Sequence, residues 1–190
     1  MPPYTDEAAE FFRKMTKEEA ATFMAGSKHP IRDLAADVIG GRNVLDLGCG
    51  KGIRISELYS PEQYTGVDAS AELIELARSA NPLHKFYVSG ILDFLENTPD
   101  KSVECSLMIA VMEHIPTLAT AQRIYNEARR VSRELFIGWH TIPNASESRI
   151  SRVQAELKEP IWQNKWKHGS FGGTIHSRPI AGAELWCVRN

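Results

Sequence analysis

A chain of 190 residues with 24 Asp/Glu against 22 Lys/Arg, a formal net charge of −2 and 43% hydrophobic residues has the length and composition of one compact α/β domain. It holds no apolar run near the roughly 20 residues that a membrane-spanning helix needs. Its opening residues, Met1-Pro2-Pro3-Tyr4-Thr5-Asp6-Glu7, lack the basic stretch and apolar core of a secretory signal, so a cytoplasmic location is expected.

The first helical signal is Thr16-Lys17-Glu18-Glu19, a capping box, followed by Ala20, Ala21, Phe23 and Met24. A second helix is expected from Pro30, with Ile31, Leu34, Ala35 and Val38 at helical spacing and Gly40-Gly41 as its stop. From Asn43 onward short apolar runs alternate with helical patterns, which is the mark of parallel strands joined by crossover helices. Strands are predicted at 44–47, 64–67, 86–88, 103–109 and 135–138, and helices at 52–59, 71–79 and 118–131. Residues 97–101, Asn-Thr-Pro-Asp-Lys, read as a turn before the fourth strand. Beyond Gly138 the alternation stops. A helix is expected over 146–157, and 174–176 with 184–188 are expected to pair as an antiparallel terminal hairpin. The whole is a doubly wound, mostly parallel sheet in a single domain, with N-terminal helices to residue 40, a core over 43–138 and a cap over 139–190.

The chemistry concentrates in Val44-Leu45-Asp46-Leu47-Gly48-Cys49-Gly50-Lys51-Gly52, a strand that ends in an acid and three alternate glycines before a helix. Glycines in such a turn let backbone approach a ligand and let the next helix begin against the sheet with its N–H groups toward the site. A second acid closes the next strand in Gly66-Val67-Asp68, where a carboxylate accepts from a pair of ribose hydroxyls; capping of the following helix is the alternative role. Cys49, Cys105 and Cys187 are scattered without a CxxC pair and read as buried thiols.

These two segments resemble the class I S-adenosylmethionine-dependent methyltransferases, and so does Val103 to Pro116 with its Glu-His-Ile-Pro ending. A dinucleotide dehydrogenase would carry a glycine where this chain has Ile53. The resemblance spans about residues 31–138 and implies the seven-stranded, Rossmann-like fold of that family. S-adenosylmethionine is the implied cofactor. Carried over by position, Gly48, Cys49, Gly50 and Gly52 meet its methionine end, Asp46 supports its ammonium directly or through water, and Asp68 takes the ribose. Ala69 lies against the adenine, with Gly90, Ile91 and Leu92 at its other edge, and the backbone of Ile109 and Ala110 completes the amino-acid pocket. Many relatives place an acid where this chain has Ile91; Asp93 takes that part only if its loop is displaced.

Glu113-His114 resembles part of a divalent-metal site in ubiquinone-biosynthesis O-methyltransferases, but Ala110 stands where those carry a third ligand, so no metal is expected. His140 and His114 are the candidate bases for a hydroxyl acceptor. Trp139, Trp162, Trp166, His168 and His176 fall in the substrate-side cap, where rings either stack on an acceptor or pack the hairpin. From Arg149 to the end the chain has seven Lys/Arg against three Asp/Glu, which suits an anionic small-molecule substrate held by Arg149, Arg152, Lys165 and Lys167. The expected activity is methyl transfer to a small molecule, at oxygen ahead of nitrogen. The alternatives are an RNA methyltransferase, disfavoured by the lack of an added RNA-binding domain, and a noncatalytic cofactor-binding module of the same fold.

Overall fold

The computed structural model describes residues 7–22, 30–115, 117–139, 171–180 and 183–189. Two short helices open the chain, α1 (Glu7–Arg13) and α2 (Lys17–Thr22), followed by α3 (Pro30–Ile39). The capping box closes reciprocally: Glu19 N–H donates to Thr16 Oγ1 at 3.3 Å and Thr16 N–H donates to Glu19 Oε2 at 2.8 Å. Then come β1 (Val44–Leu47), α4 (Ile55–Leu58), β2 (Tyr64–Asp68), α5 (Ala71–Ala80), β3 (Lys85–Val88), α6 (Ile91–Glu96) and β4 (Val103–Ile109). A 3-10 turn (Met112–His114) leads to α7 (Leu118–Val131), β5 (Ser132–Trp139), β6 (Thr174–Ile180) and β7 (Ala183–Arg189).

The seven strands form one sheet in the order β3-β2-β1-β4-β5-β7-β6. The first five run parallel, while β7 is antiparallel to both β5 and β6. Both faces are covered, as a parallel sheet requires. On one, Ile31, Ala35 and Ile39 of α3 pack with Leu107, Ile109, Phe136 and Leu185; on the other, Ala121, Ile124, Tyr125 and Ala128 of α7 pack with Leu47, Met108 and Ile137. Strand order reverses between β1 and β4, which is the switch point where ligands enter such sheets.

The strands at 44–47 and 103–109 and the helix at 118–131 stand where the sequence predicts them, and the terminal hairpin forms with longer arms. The helix expected over 52–59 is cut to Ile55–Leu58, because Gly52 and Arg54 both take positive φ, 63° and 62°, and a left-handed residue interrupts helical hydrogen bonding. Two helices, α1 and α6, were not anticipated; each is seven residues or fewer, too short for a clear apolar period. The helix expected over 146–157 lies outside the described residues.

Candidate functional site

An open cleft of about 950 Å³, solvent at its mouth included, lies at the carboxyl ends of β1, β2 and β4. Its floor is the turn after β1. Gly48, Gly50 and Gly52 have φ of 76°, 57° and 63°, in the left-handed region that favours glycine. At Gly48 packing forbids a side chain as well: a Cβ there would fall 2.5 Å from Val111 Cγ2. At Gly50 a Cβ would meet nothing within 4 Å, so an open space borders this backbone on the cleft. The turn is anchored to β2, since Gly48 N–H and Cys49 N–H both donate to the Val67 carbonyl, at 2.8 and 3.0 Å.

Asp68, at the end of β2, is 8% exposed. Its Oδ2 accepts from Gly50 N–H at 2.9 Å and its Oδ1 from Ser70 N–H at 2.9 Å. Capping of α5 falls to Ser70, whose hydroxyl accepts from Leu73 N–H at 3.2 Å. Burial raises the Asp68 pKa above the usual carboxylate range, while the N–H groups of Ser70 and Gly50 oppose that rise. Asp68 therefore braces the glycine turn and keeps lone pairs for a ligand. Burial, with the Asp68 carboxylate second, pushes the Cys49 thiol well above its ordinary value, which keeps it protonated and inert.

Of the residues singled out from the sequence, Gly48, Cys49, Gly50, Asp68 and Ala69 line this cleft, and so do Ile91, Ile109, Ala110 and His114. Ala110 itself sits at φ 55°, a strained value for alanine at a functional edge. Gly52 faces away: a Cβ there would meet Asn81 Nδ2 at 3.0 Å and Ala77 Cβ at 3.2 Å, so it serves the packing of the turn on α5. Leu92 is buried in the core, and Gly90 is covered by the Arg13 guanidinium, 2.9 Å from where its Cβ would be. Asp93 turns outward to Arg13, at 3.1 Å. Asp46 is fully buried and does not border the cleft. Its Oδ2 accepts from Arg32 Nη1 at 2.8 Å and from the Tyr64 hydroxyl at 2.7 Å.

Sequence reasoning missed Ala9, Phe12 and Arg32. Ala9 and Phe12 of α1 roof the cleft, with the Phe12 ring edge-on to His114 at a centroid distance of 5.5 Å. Arg32, in the first turn of α3, also reaches the cleft; its signal was a lone arginine beside the apolar stripe of that helix. Among the described residues no group of three or more His, Cys, Asp or Glu could hold a metal ion. His140, Arg149, Arg152, Trp162, Lys165, Trp166, Lys167 and His168 lie outside the described residues.

The doubly wound sheet and the glycine turn braced by a strand-end acid define a nucleotide-type cofactor site. Residues 45–135 match the family model described as Methyltransferase domain. Solved structures share the fold. Magnesium protoporphyrin IX methyltransferase from Synechocystis PCC 6803, with bound SAH, is 12% identical at a TM-score of 0.65, over 97% of this chain and 99% of that one. A SAM-dependent methyltransferase from Methanosarcina mazei is 18% identical at a TM-score of 0.60, over 86% of this chain and 98% of that one.

The residues present fit S-adenosylmethionine. A cleft-facing glycine backbone with open space beside Gly50, a buried strand-end carboxylate with spare lone pairs, and the apolar walls Ala69 and Ile91 match an amino-acid tail, a ribose and an adenine in turn.

Proposed function

We propose that this chain, acting as one domain in the cytoplasm, moves the methyl group of S-adenosylmethionine to a small-molecule acceptor, at oxygen ahead of nitrogen. The supporting observation is that the Asp68-braced glycine turn and His114 line the same cleft under the roof of α1. Three cysteines, all buried and unpaired, suit a reducing compartment.

The cofactor brings a methyl group already made electrophilic by its sulfonium charge. The protein's task is to orient and to exclude water. Asp68 accepts from the ribose hydroxyls, Ala69 and Ile91 flank the adenine, and backbone at Gly48, Gly50, Ile109 and Ala110 borders the amino-acid end. His114 would take the proton of the acceptor hydroxyl onto a ring nitrogen as that oxygen gained its bond to the methyl carbon and the carbon–sulfur bond gave its electron pair to sulfur. Phe12 against its ring limits the orientations available to it. The acceptor we favour carries a phosphate or carboxylate, on the strength of the basic carboxy-terminal segment.

The test is a methyl-transfer assay against a metabolite pool with radiolabelled donor. Turnover is expected with the native chain, and His114→Gln should lower kcat on the order of 10²-fold or more for a hydroxyl acceptor, with cofactor affinity held. Cofactor binding without turnover on any pool would support the noncatalytic module instead.

A further inference from the structure

Toward the β6 edge of the sheet, on the face that α3 covers, lies a second cavity. It encloses about 1070 Å³, open solvent included, and shares no lining residue with the cofactor cleft. Its origin is topological. Helix α3 packs over β5 and β7 at Phe136, Leu185 and Cys187, and the sheet runs on past that cover to its edge strand β6. The register sets His176 beside Cys187 and Cys187 beside Phe136, so the three strands turn one row of side chains to the same face. Glu134 and Arg189 pair two positions along on that face, and Arg178 follows His176 on β6.

Three guanidinium groups line this cavity, those of Arg42, Arg178 and Arg189, against a single carboxylate, Glu134, in a chain whose formal net charge is −2. Arg42 is fixed. Its Nε donates to the Ile39 carbonyl at 2.8 Å, its Nη2 to the Val38 carbonyl at 3.0 Å and its Nη1 to Glu134 Oε2 at 2.9 Å, which closes the end of α3. Arg189 lies 3.4 Å from the other Glu134 oxygen with its side chain 70% exposed, a surface pair that gives way at small cost. The Arg178 guanidinium is exposed and makes no hydrogen bond or ion pair with any described residue. Burial raises the pKa of Cys187 on the cavity floor, with Glu134 adding to the rise, while Arg178, Arg189 and Arg42 all oppose it. Three positive charges thus converge on one place.

Two of those charges sit on guanidinium forks that are free to turn, and the local excess of positive charge suits a dianion with several acceptor oxygens better than a carboxylate. We propose that this cavity binds a phosphate dianion, free or as the monoester of a small molecule, between Arg178 and Arg189, with Arg42 as a fixed charge behind them. The site is separate from the cofactor cleft and does not depend on what that cleft holds.

The experiment is an NMR titration of the full isotope-labelled chain with inorganic phosphate and with phenyl phosphate at constant ionic strength, with acetate as the monoanion control. Saturable shifts are expected in the backbone amides of His176, Arg178 and Cys187, and none in those of Gly48 and Gly50. Arg178→Gln and Arg189→Gln should each weaken phosphate binding by about tenfold. Saturating S-adenosylhomocysteine should leave that binding unchanged. Tighter binding of phenyl phosphate assigns the site to a monoester, and equal binding assigns it to free phosphate. Thermal melts identify a variant that fails to fold, in which case the amide shifts of the native protein decide. An equal response to acetate, shifts confined to the glycine turn, competition by S-adenosylhomocysteine, or phosphate binding indifferent to both arginine changes overturns the proposal and leaves Arg178 as a charged guard on the free edge of β6.

Discussion

Asp68 braces the glycine turn with a carboxylate that, under the proposed function, also receives the ribose. One oxygen holds Gly50 N–H and the other Ser70 N–H, each at 2.9 Å, so the side chain is oriented before any ligand arrives. Asp68→Ala is expected to weaken cofactor binding by about 1.5–3 kcal/mol, read by calorimetry, because the ribose loses a charged acceptor and the turn loses its brace. The raised pKa adds a pH signature. Burial penalises the ionised form in the empty site, and ribose hydroxyls that donate to it relieve the penalty, so binding favours the ionised state. Affinity should therefore be full at neutral pH and fall as the solution is acidified through the Asp68 pKa, above the ordinary value of about 3.9. Asp68→Asn, which has no such proton to gain, should bind more weakly and flatten that dependence. Gly48 is intolerant for another reason: its φ of 76° and the 2.5 Å approach to Val111 Cγ2 combine backbone strain with a clash. Gly48→Ala should lower stability by about 1–3 kcal/mol in denaturant titration, and adding Val111→Ala should recover only the steric part.

Among the elements, α1 has the most to do with access. Its anchors include the Arg13–Asp93 pair at 3.1 Å, with both side chains well exposed, and the Phe12 ring, which meets His114 edge-on and packs against the cluster of Met15, Ala20 and Leu73. The same cluster fixes α2 through Ala20, buried against Leu73 of α5. An exposed ion pair contributes about 0.2–1 kcal/mol, whereas an apolar side chain on the cleft roof contributes more, so the two anchors should separate kinetically. Phe12→Ala is expected to raise the cofactor dissociation rate about tenfold in stopped-flow fluorescence, and Arg13→Ala by no more than about fivefold. Equal effects would mean that α1 is not a roof over the ligand.

At the scale of the whole molecule the charges are sorted, with seven Lys/Arg against three Asp/Glu from Arg149 onward and the remaining fifteen against twenty-one before it. If that segment draws in an anionic acceptor, the attraction acts through solvent and is screened over about 8 Å near physiological salt. The Michaelis constant for the acceptor should then rise with ionic strength, and Arg149→Ala with Arg152→Ala should raise it while cofactor affinity stays unchanged. An acceptor constant indifferent to salt and to both changes would reduce the basic segment to solvated surface.

What the sequence determined by itself is what depends on near neighbours along the chain. The strands Val44–Leu47 and Val103–Ile109 and the helix Leu118–Val131 were legible because each carries its own apolar run or period, and the glycine turn was legible because left-handed backbone is encoded by residue type. Asp68 was readable for the same reason, as the acid that closes a strand a fixed distance after that turn. The tertiary structure decided which buried charges face each other. Asp46 and Arg32 are fourteen positions apart, and nothing local says that α3 will lay that arginine across the end of β1, where Tyr64 of β2 completes the contact. The roof was likewise undecidable in advance: α1 spans only seven residues, too short to persist without packing, and Phe12 becomes part of the site because the fold sets it against His114.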